Sequence, residues 1–486
     1  MDGLGCTEML LSQVRDANCR FDSEYYSKDN LLLQKTVNRA GSKTIGEYGG
    51  YLDCSAFYPS ITEYYSKDRK NNIPFLRVNE ICNGLIVLTT DTVFLPCDVI
   101  AKNSKTIALA YPGDIIIAKG GNTLAKVGLV PEDFPVYATC RDVVILRTNK
   151  LTGLNKYFLW AFLHCKYGQG ILRRSASQTG QPHLTLPALL KIKVPDVVSL
   201  QELIGELYEN TVTLKQGAES LFDGAAKYVL SELGFAAWSP SEKGTCEKKY
   251  LDVVATGRLD AEYFRPKYDE LFDLLSRCKT RFLGGKNGIV DIQRSIEPGS
   301  DAYSNNGVPF VRIANLSEMG ITSPEIHIPP EVCADSPRPK KDTILLSKDG
   351  SVCIAYKVDD DLNIVTSSGI LHLTVKDASV LPDYLALVLN SKIVRLQAER
   401  CAGGSIIQHW KQSEIENVTI PILPISCQQQ IAAKVHESFA LRRKSKALLE
   451  CARQAVEMAI EQGEEHALKW LQSTVNDPME ECNVRI

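Results

Sequence analysis

The sequence has few of the patterns that identify common enzyme and membrane-protein classes. Its 15 cysteines include no C-x-x-C pair, so neither a zinc site nor a disulfide framework is indicated, and we expect reduced thiols. Residues 1–14 lack the basic start and apolar run of a signal peptide, and no stretch approaches about 18 apolar residues. We therefore expect a cytoplasmic protein with no membrane span and no metal site.

The overall charge and composition give only broad limits. The chain has 486 residues, of which 44% are hydrophobic and 23% are charged, as is usual for globular domains. Its net charge of −3 argues against a simple nucleic-acid-binding protein, since such domains are usually basic. A local basic groove can still coexist with an acidic face elsewhere. No glycine-rich phosphate loop is present, so a motor activity is not indicated.

What the sequence does contain is one long internal repeat. Several short motifs recur in the same order, at slowly drifting offsets. The pairs are RFDSEYY (20–26) with RLDAEYF (258–264), PFLR (74–77) with PFVR (309–312), DIIIAK (114–119) with DTILLSK (342–348), and VP (194–195) with IP (420–421). The period is far longer than the roughly 20–50 residues of a solenoid unit. We therefore predict two tandem copies of a whole domain.

A long amphipathic segment follows each copy. Apolar or small residues recur at steps of three and four in the first segment, which is typical of a heptad seam. The seam positions are Leu200, Ile204, Leu207, Thr211, Leu214, Ala218, Leu221, Ala225 and Tyr228. The looser stripe of the second segment is Ile431, Val435, Leu441, Leu448, Ala452, Ala455 and Ala459. Each segment predicts a helix of about 35 residues and roughly 50 Å, and the alternative is a buried helix of an ordinary core. Gly217 and Gly224 would fit close approach of a partner helix.

The fold class expected upstream of each helix is mixed α/β. Short apolar runs at 114–118 and 343–346 are typical of strands, and the segments 157–165 and 384–396 predict helices. The predicted divisions are an arm (1–19), a first α/β domain (20–198), a central helix (199–235), a linker (236–250), a second α/β domain (251–424), a C-terminal helix (425–470) and a tail (471–486).

The order of these motifs, their duplication and the helical spacers resemble the specificity subunit of type I restriction–modification enzymes. The resemblance extends over residues 20–465 and includes a polar loop in each copy, at 177–184 and 403–410. It implies that each α/β domain is a target recognition domain reading one half of a bipartite, asymmetric site in double-stranded DNA. It also implies that the two helices pair as an antiparallel coiled coil that fixes the gap between half-sites.

The resemblance further implies how the work is divided among chains. The helices would dock two copies of an adenine DNA methyltransferase subunit, and a motor-nuclease subunit would join them in the restriction complex. This chain would have no catalysis, no metal and no cofactor, because S-adenosylmethionine would belong to the methyltransferase partner. An alternative is an adaptor of an orphan methyltransferase or related phage-defence complex that has no restriction subunit.

Candidate DNA contacts lie at strand ends, in the polar loops and on the helices before those loops. Lysine beside flexible backbone suits a phosphate contact, and glutamine pairs well with adenine in the major groove. The candidates are Lys119, Lys126, Arg173, Arg174, Gln181, His183, Lys348, Lys357, Arg395, Arg400, Gln408 and His409. The competing interpretations are a solvated lysine at a turn, a helix cap in the loop and a solvated helix face.

Two matched motifs fit a structural role better than base reading. Arg77 and Arg312 occupy the same position in both copies, whereas two halves that read different sequences should differ at base contacts. We therefore expect structural or phosphate contacts for these arginines. The aromatic residues of 24–26 and 262–264 are expected to bury against the start of each domain.

The enzymatic alternatives lack essential residues. A P-D…(D/E)-x-K nuclease site needs a second carboxylate two residues before its lysine, but Ile117 and Leu346 stand at those positions. An adenine methylase needs an Asn- or Asp-Pro-Pro-aromatic motif, and 72–75 (NIPF) lacks the first proline. We interpret 72–75 as the start of a strand, because 307–310 (GVPF) repeats its pattern.

Overall fold

The structure is a computed structural model that describes residues 7–17, 19–56, 60–89, 92–177, 182–403 and 408–475. The chain forms two compact units. The first unit contains the residues up to Leu214 together with those from Arg443 onward, and the second contains Lys215–Arg442. Each unit therefore includes part of both long helices, so the compact units divide the chain differently from the predicted domain boundaries.

The first unit is built around two mixed sheets. Its six-stranded sheet has the order Tyr51–Asp53, Val143–Arg147, Ile115–Ala118, Val127–Leu129, Gly84–Ile86 and Ile81–Cys82. Its four-stranded sheet has the order Val93–Pro96, Asn72–Leu76, Tyr137–Thr139 and Leu109–Ala110. A short pair joins Ala176–Ser177 to His183–Leu184. The central strand Ile115–Ala118 is fully buried, as expected for an unbroken apolar run.

The second unit has a smaller set of sheets. A four-stranded sheet has the order Val290–Arg294, Ile370–Val375, Ile344–Ser347 and Ala355–Lys357. A three-stranded sheet has the order His327–Ile328, Val308–Val311 and Val365–Thr366. Two pairs complete the set, Leu316–Ser317 with Gly320–Ile321 and Thr280–Phe282 with Thr419–Pro421. Helices and sheets occur in both units, so the prediction of a mixed α/β fold is confirmed.

Corresponding strands pair in the same way in both units. The strand that contains each PF[LV]R motif has one antiparallel and one parallel neighbour, for Asn72–Leu76 and again for Val308–Val311. Ile115–Ala118 and Ile344–Ser347 are each flanked by two antiparallel neighbours. The segment 72–75 therefore lies within a strand, with Phe75 buried, rather than in a cofactor or target-base motif.

Helices cover the sheets of both units. The α-helices of the first unit are Leu11–Asp16, Lys28–Ala40, Cys97–Lys102, Lys156–His164, Lys166–Ser175, Leu186–Leu190 and Glu464–Thr474, with 3-10 turns at Glu24–Tyr26, Thr62–Tyr64, Val78–Glu80 and Gly121–Thr123. Those of the second unit are Tyr250–Thr256, Pro266–Leu275, Pro382–Leu389, Lys392–Cys401 and Gln412–Glu416, with 3-10 turns at Ala261–Phe264, Ser300–Ala302, Ile313–Asn315 and Pro330–Cys333. The helix predicted at 384–396 is thus two helices, separated at Asn390 and Ser391.

The first long helix is Val198–Glu232 and the second is Ile425–Gln462. The second ends earlier than predicted, because Gly463 adopts a left-handed φ of 95° and a separate helix follows. Gly234 likewise has a φ of 77° just after the first long helix, a conformation that glycine adopts without steric cost.

The predicted seam of the first long helix is correct up to Ala218 and then shifts by one residue. Beyond that point the buried positions are Phe222, Ala225 and Val229, whereas Leu221 and Tyr228 are only half-buried. A β-carbon added at Gly217 would meet Leu441 at an ordinary 3.5 Å, and one at Gly224 would meet nothing within 4 Å. Neither glycine is therefore a point of close helix approach.

Within each unit the two long helices run antiparallel in contact. In the first unit the hydroxyl of Ser445 donates to the carbonyl of Thr211 at 3.1 Å. In the second unit the hydroxyl of Ser438 donates to the carbonyl of Ala218 at 2.6 Å, and the rings of Phe222 and Phe439 meet edge to face. Buried serines that bond to the facing backbone allow the two helices to approach without an unpaired polar group.

A buried glutamine joins the start of each long helix to its own α/β domain. Gln201 Oε1 accepts from the backbone N–H of Asn155 at 2.9 Å, and Gln428 Oε1 accepts from the N–H of Leu381 at 2.9 Å. Asn155 caps Lys156–His164 and Leu381 precedes Pro382–Leu389, so the same element is held in both units. We call this contact the glutamine joint.

The cysteines follow the expectation with one exception. Twelve cysteines in the described part of the chain are free thiols, whereas Cys451 is disulfide-bonded to a partner outside that part. Burial raises the pKa of the Cys165 and Cys353 thiols to about 12, so these two are inert at neutral pH. Within the described residues, no helix combines the length and apolar composition needed to cross a bilayer.

Candidate DNA-binding interface

The end of each polar loop is hydrogen-bonded to the residue that follows the central strand. In the first unit the N–H of Leu184 donates to the carbonyl of Lys119 at 2.8 Å, and in the second the N–H of Trp410 donates to Lys348 at 2.8 Å. These bonds place one lysine next to the exposed histidine of each loop, His183 in the first unit and His409 in the second. Four of the predicted residues are thus brought together in two equivalent pairs.

The electrostatics of these two pairs differ. In the second unit the carboxylate of Asp349 binds both Lys348 Nζ at 2.5 Å and His409 Nδ1 at 2.8 Å. The equivalent position in the first unit is Gly120, which has no side chain to offer. Within the ranges that the structure describes, no carboxylate pairs with the ammonium group of Lys119. The first lysine thus presents its full charge, whereas the second is largely neutralised.

Lys126 lies at the same strand end as Lys119. Its carbonyl accepts from the N–H of Ala118 at 2.9 Å, and its side chain is half-buried. This position agrees with the predicted phosphate contact, which stays a prediction because the structure holds no DNA.

Lys357 is a correction. It pairs with Ile344, at the opposite end of the central strand from Lys348, and its side chain is only 5% exposed. Its ammonium lies 2.9 Å from Asp359, 3.0 Å from Asp383 and 3.7 Å from Asp342. Burial by itself would lower the pKa of Lys357, but the hydrogen bond to Asp359 and the nearby carboxylates raise it overall. Lys357 is therefore a buried ion-pair residue that DNA cannot reach.

Arg174 contacts its own domain at the first repeated motif. Its guanidinium lies 3.8 Å from the centroid of the Tyr25 ring, its Nε donates to the carbonyl of Tyr25, and burial lowers its pKa. Arg20 approaches the same ring at 4.2 Å and forms a two-point ion pair with Asp22, which lowers the pKa of that carboxyl. The ring is thus held between two cations.

The same arrangement recurs in the second unit. The guanidinium of Arg400 lies 4.1 Å from the Tyr263 ring centroid and that of Arg258 lies 4.7 Å from it. Arg258 is paired with Asp260, and the hydrogen bond from Arg258 lowers the pKa of Asp260. We call both arrangements the arginine–tyrosine clamp. The clamp explains why the motif is repeated, and it does not favour the predicted DNA contacts of Arg174 and Arg400.

The remaining helix arginines are exposed. Arg173 ends the helix Lys166–Ser175, next to the first polar loop. Arg395 lies in the middle of Lys392–Cys401 and its guanidinium is 3.2 Å from Glu318. Arg173 is therefore better placed than Arg395 for a phosphate contact.

The loop glutamines have different outcomes. Gln181 lies outside the described residues. Gln408 is exposed, and its carbonyl accepts from the N–H of Gly350 at 2.8 Å, so its amide side chain is left to the surface. A donor–acceptor side chain in this position suits an adenine edge.

The matched arginines have unequal partners. Arg77 pairs with the buried carboxylate of Glu80 at 2.9 Å, and that hydrogen bond raises the pKa of Arg77. In the second unit Asn315 stands in place of Glu80, and its side-chain oxygen accepts only from the backbone N–H of Arg312. The guanidinium of Arg312 is exposed. The structural role is thus clear for Arg77, and Arg312 is better placed for phosphate.

The faint nuclease motif is a structural ion cluster. Asp114 is buried and lies 2.8 Å from Arg147, which also binds Asp53 at 2.5 Å. Lys119 lies at the other end of the same strand from Asp114. The described ranges contain no group of three or more His, Cys, Asp or Glu side chains arranged to hold a metal ion.

One site was missed in the sequence. A cleft of about 360 Å³ lies beside Lys348 in the second unit. It is lined by Arg294, Ser295, Lys348, Asp349, Ser368, His409, Trp410, Lys411 and Gln412. The loop motif contained the signal, because tryptophan and lysine at 410 and 411 stand where the first copy has Leu184 and Thr185.

Comparison with known families assigns a class to the second unit, that of a DNA specificity domain. Residues 287–450 match the family described as "Type I restriction modification DNA specificity domain". The matched segment includes Lys348, Gln408 and His409. The chain therefore contains a domain of this family, and the resemblance stated from the sequence is confirmed for that segment.

Solved structures give a weaker likeness. An S subunit of a type I restriction–modification system from M. genitalium is 15% identical, covers 88% of this chain and 95% of its own, and has a TM-score of 0.33. The HsdS subunit from Thermoanaerobacter tengcongensis is 15% identical, with 88% and 96% coverage and a TM-score of 0.26. At such scores the assignment rests on the family match. No curated protein matches the sequence.

Proposed function

We propose that the whole chain is the DNA specificity subunit of a type I restriction–modification system. The observation that carries the proposal is that the family match falls on the second copy, while the repeated contacts of that copy recur in the first. The clamp on Tyr25 or Tyr263 and the glutamine joint at Gln201 or Gln428 support two equivalent reading domains. Because the loops differ in sequence, the target would be bipartite and asymmetric.

Each domain would bind DNA at the end of its central strand. Lys119 and Lys126 in the first unit would contact phosphates, which position the duplex without reading its sequence. The exposed side chains of His183, Gln408 and His409 would face base edges in the major groove. Binding would therefore combine a salt-dependent phosphate contribution with base contacts in the loops.

The long helices would set the distance between the half-sites and dock the partners. We propose an antiparallel coiled coil, supported by the helix contacts at Thr211 and Ala218. Its surface would bind two copies of an adenine methyltransferase subunit that carries S-adenosylmethionine, and a motor-nuclease subunit would join for restriction. This chain would contribute recognition and no chemistry.

The experiment is a map of adenine methylation across the host genome, with and without this gene. We expect one bipartite motif with an asymmetric pair of half-sites to lose methylation on deletion and to regain it when the gene is restored. A methyltransferase-null strain is the control and should lose the same motif. A deletion that leaves every adenine-methylated motif intact would contradict the proposal.

A further inference from the structure

The cleft beside Lys348 is rich in cations that its own carboxylate does not neutralise. Asp349 is the acid among its lining residues, and it is already bound by Lys348 and His409. Arg294 uses its Nε to donate to Gln412 Oε1 at 2.6 Å, and its side chain is exposed. Across the described ranges, no carboxylate pairs with the ammonium group of Lys411. The cleft is therefore positively charged.

The cleft also contains an unsatisfied donor. Trp410 lines it and is 1% exposed, yet among the described residues its indole N–H has no hydrogen-bond partner. An unpaired buried donor costs about 1–3 kcal/mol, so native proteins rarely keep one without a ligand or water to accept from it. The backbone of Trp410 is fixed by its bond to Lys348, so the ring stays at the cleft.

The two lining hydroxyls are already used as donors. Ser295 donates to the carbonyl of Thr366 and Ser368 donates to Glu297 Oε2. The groups left to meet a ligand are thus the indole N–H and the cationic side chains of Arg294 and Lys411. This set suits an anion with several acceptor oxygens and offers little to a neutral base edge.

We propose that this cleft binds one backbone phosphate of the DNA half-site read by the second unit. The inference rests on the proposed function and adds to it one named contact that the first unit lacks. Gly120, Leu184 and Thr185 of the first unit replace Asp349, Trp410 and Lys411, so no equivalent cleft can form there. The phosphate contact is consequently specific to one half of the target.

The test uses the assembled specificity–methyltransferase complex and a target duplex in which single phosphates are replaced, one at a time, by neutral methylphosphonates. We expect one replacement in the second half-site to weaken wild-type binding about tenfold, and to have no effect on the double variant Arg294→Gln/Lys411→Gln. The double variant should also reduce the salt dependence of binding by about 1–2 in the log–log slope, close to 0.9 per phosphate lost.

Two further variants separate this contact from general charge and from packing. Lys286→Gln removes an exposed cation before the strand Val290–Arg294, at the end opposite Arg294, and should leave the methylphosphonate profile unchanged. Trp410→Phe keeps the ring and removes the N–H, so it should weaken binding several-fold without lowering the unfolding temperature. Normal binding by Trp410→Phe would overturn the role of the indole.

The remaining outcomes are also decisive. A profile in which the double variant remains sensitive at every linkage overturns the proposal. Stabilisation by inorganic phosphate together with a silent methylphosphonate scan would make the cleft a free-anion site and would also overturn it. A wild-type complex that does not distinguish target from non-target duplex would instead refute the proposed function, so the two failures are distinguishable.

Discussion

The first and second units share their supporting contacts and differ at both ends of the central strand. The clamp and the glutamine joint recur residue for residue, with nearly equal distances. At the loop end, the first unit has an unpaired Lys119 beside Gly120, whereas the second has Asp349 with Lys348 and a cleft over Trp410. Recurring contacts fix the backbone, and the variable ones are those free to meet different DNA.

The other end of the strand differs in a second way. The first unit places Arg147 between Asp53 and Asp114, whereas the second places Lys357 among Asp342, Asp359 and Asp383. Both clusters bury one cation with more than one carboxylate. Different residues thus supply the same balance of charge, which indicates a structural role at this end in both units.

The largest effect is expected for Lys357. Lys357→Ala leaves three carboxylates near one another and should destabilise the second unit by about 3–5 kcal/mol, because an uncompensated buried charge is costly. Lys126→Ala, at the loop end of the first unit, should cost less than about 1 kcal/mol. The measurement is urea-dependent hydrogen exchange of the strands Ile344–Ser347 and Ile115–Ala118. Unchanged stability with weakened DNA binding would restore Lys357 as a DNA contact.

A smaller effect is expected from acid, and only in the second unit. His372 is buried in the strand Ile370–Val375, 2.8 Å from Thr366 Oγ1, and burial lowers its pKa from 6.5 to about 4. The unfolded chain binds a proton below pH 6.5 that the folded chain refuses until about pH 4. Stability is therefore complete above pH 6.5 and falls as the pH drops, by up to about 3 kcal/mol.

The check is the pH dependence of hydrogen exchange between pH 7 and 4.5 in each unit. The equivalent strand of the first unit, Val143–Arg147, has no side chain that titrates in this range. His372→Asn should flatten the curve of the second unit toward that of the first. Equal pH slopes for the two units in the wild-type protein would refute the assignment to His372.

The smallest effect distinguishes the two glutamine joints. Gln428 makes three hydrogen bonds, to Leu381, Leu423 and Ser379, at 2.8–2.9 Å. Gln428→Leu should cost about 2–3 kcal/mol and Gln201→Leu about 1–2, since each buried group left unpaired carries its own cost. Gln428→Glu keeps the acceptor and should fall between wild type and the leucine variant. A larger loss from Gln201→Leu would reverse the comparison.

The sequence predicted the repeated skeleton well, because each repeated motif corresponds to one contact. The pattern at 20–26 predicted a structural motif, and Tyr26 is buried there while Tyr25 is held in the clamp. Gln201 and Gln428 were missed although they keep the same spacing from the VP and IP motifs. A polar residue at a helix start gives no sign of burial until its partner is known.

The site was less predictable, because strand position alone does not say which end of a strand faces the ligand. Lys126 and Lys357 follow comparable strands but lie at opposite ends of the sheet, as the pairings Ala118–Lys126 and Ile344–Lys357 show. The acidic run at 359–361 was the available signal that Lys357 has internal partners. Trp410 gave no signal, since an unpaired indole N–H can be recognised only in three dimensions.

The most direct test of two independent reading domains is an exchange of residues 20–198 for the corresponding domain of a homologue, followed by methylation mapping. Our account predicts that one half-site changes while the other half-site keeps its bases. A chimera that changes both half-sites, or one that is assembled and active yet changes neither, would contradict it.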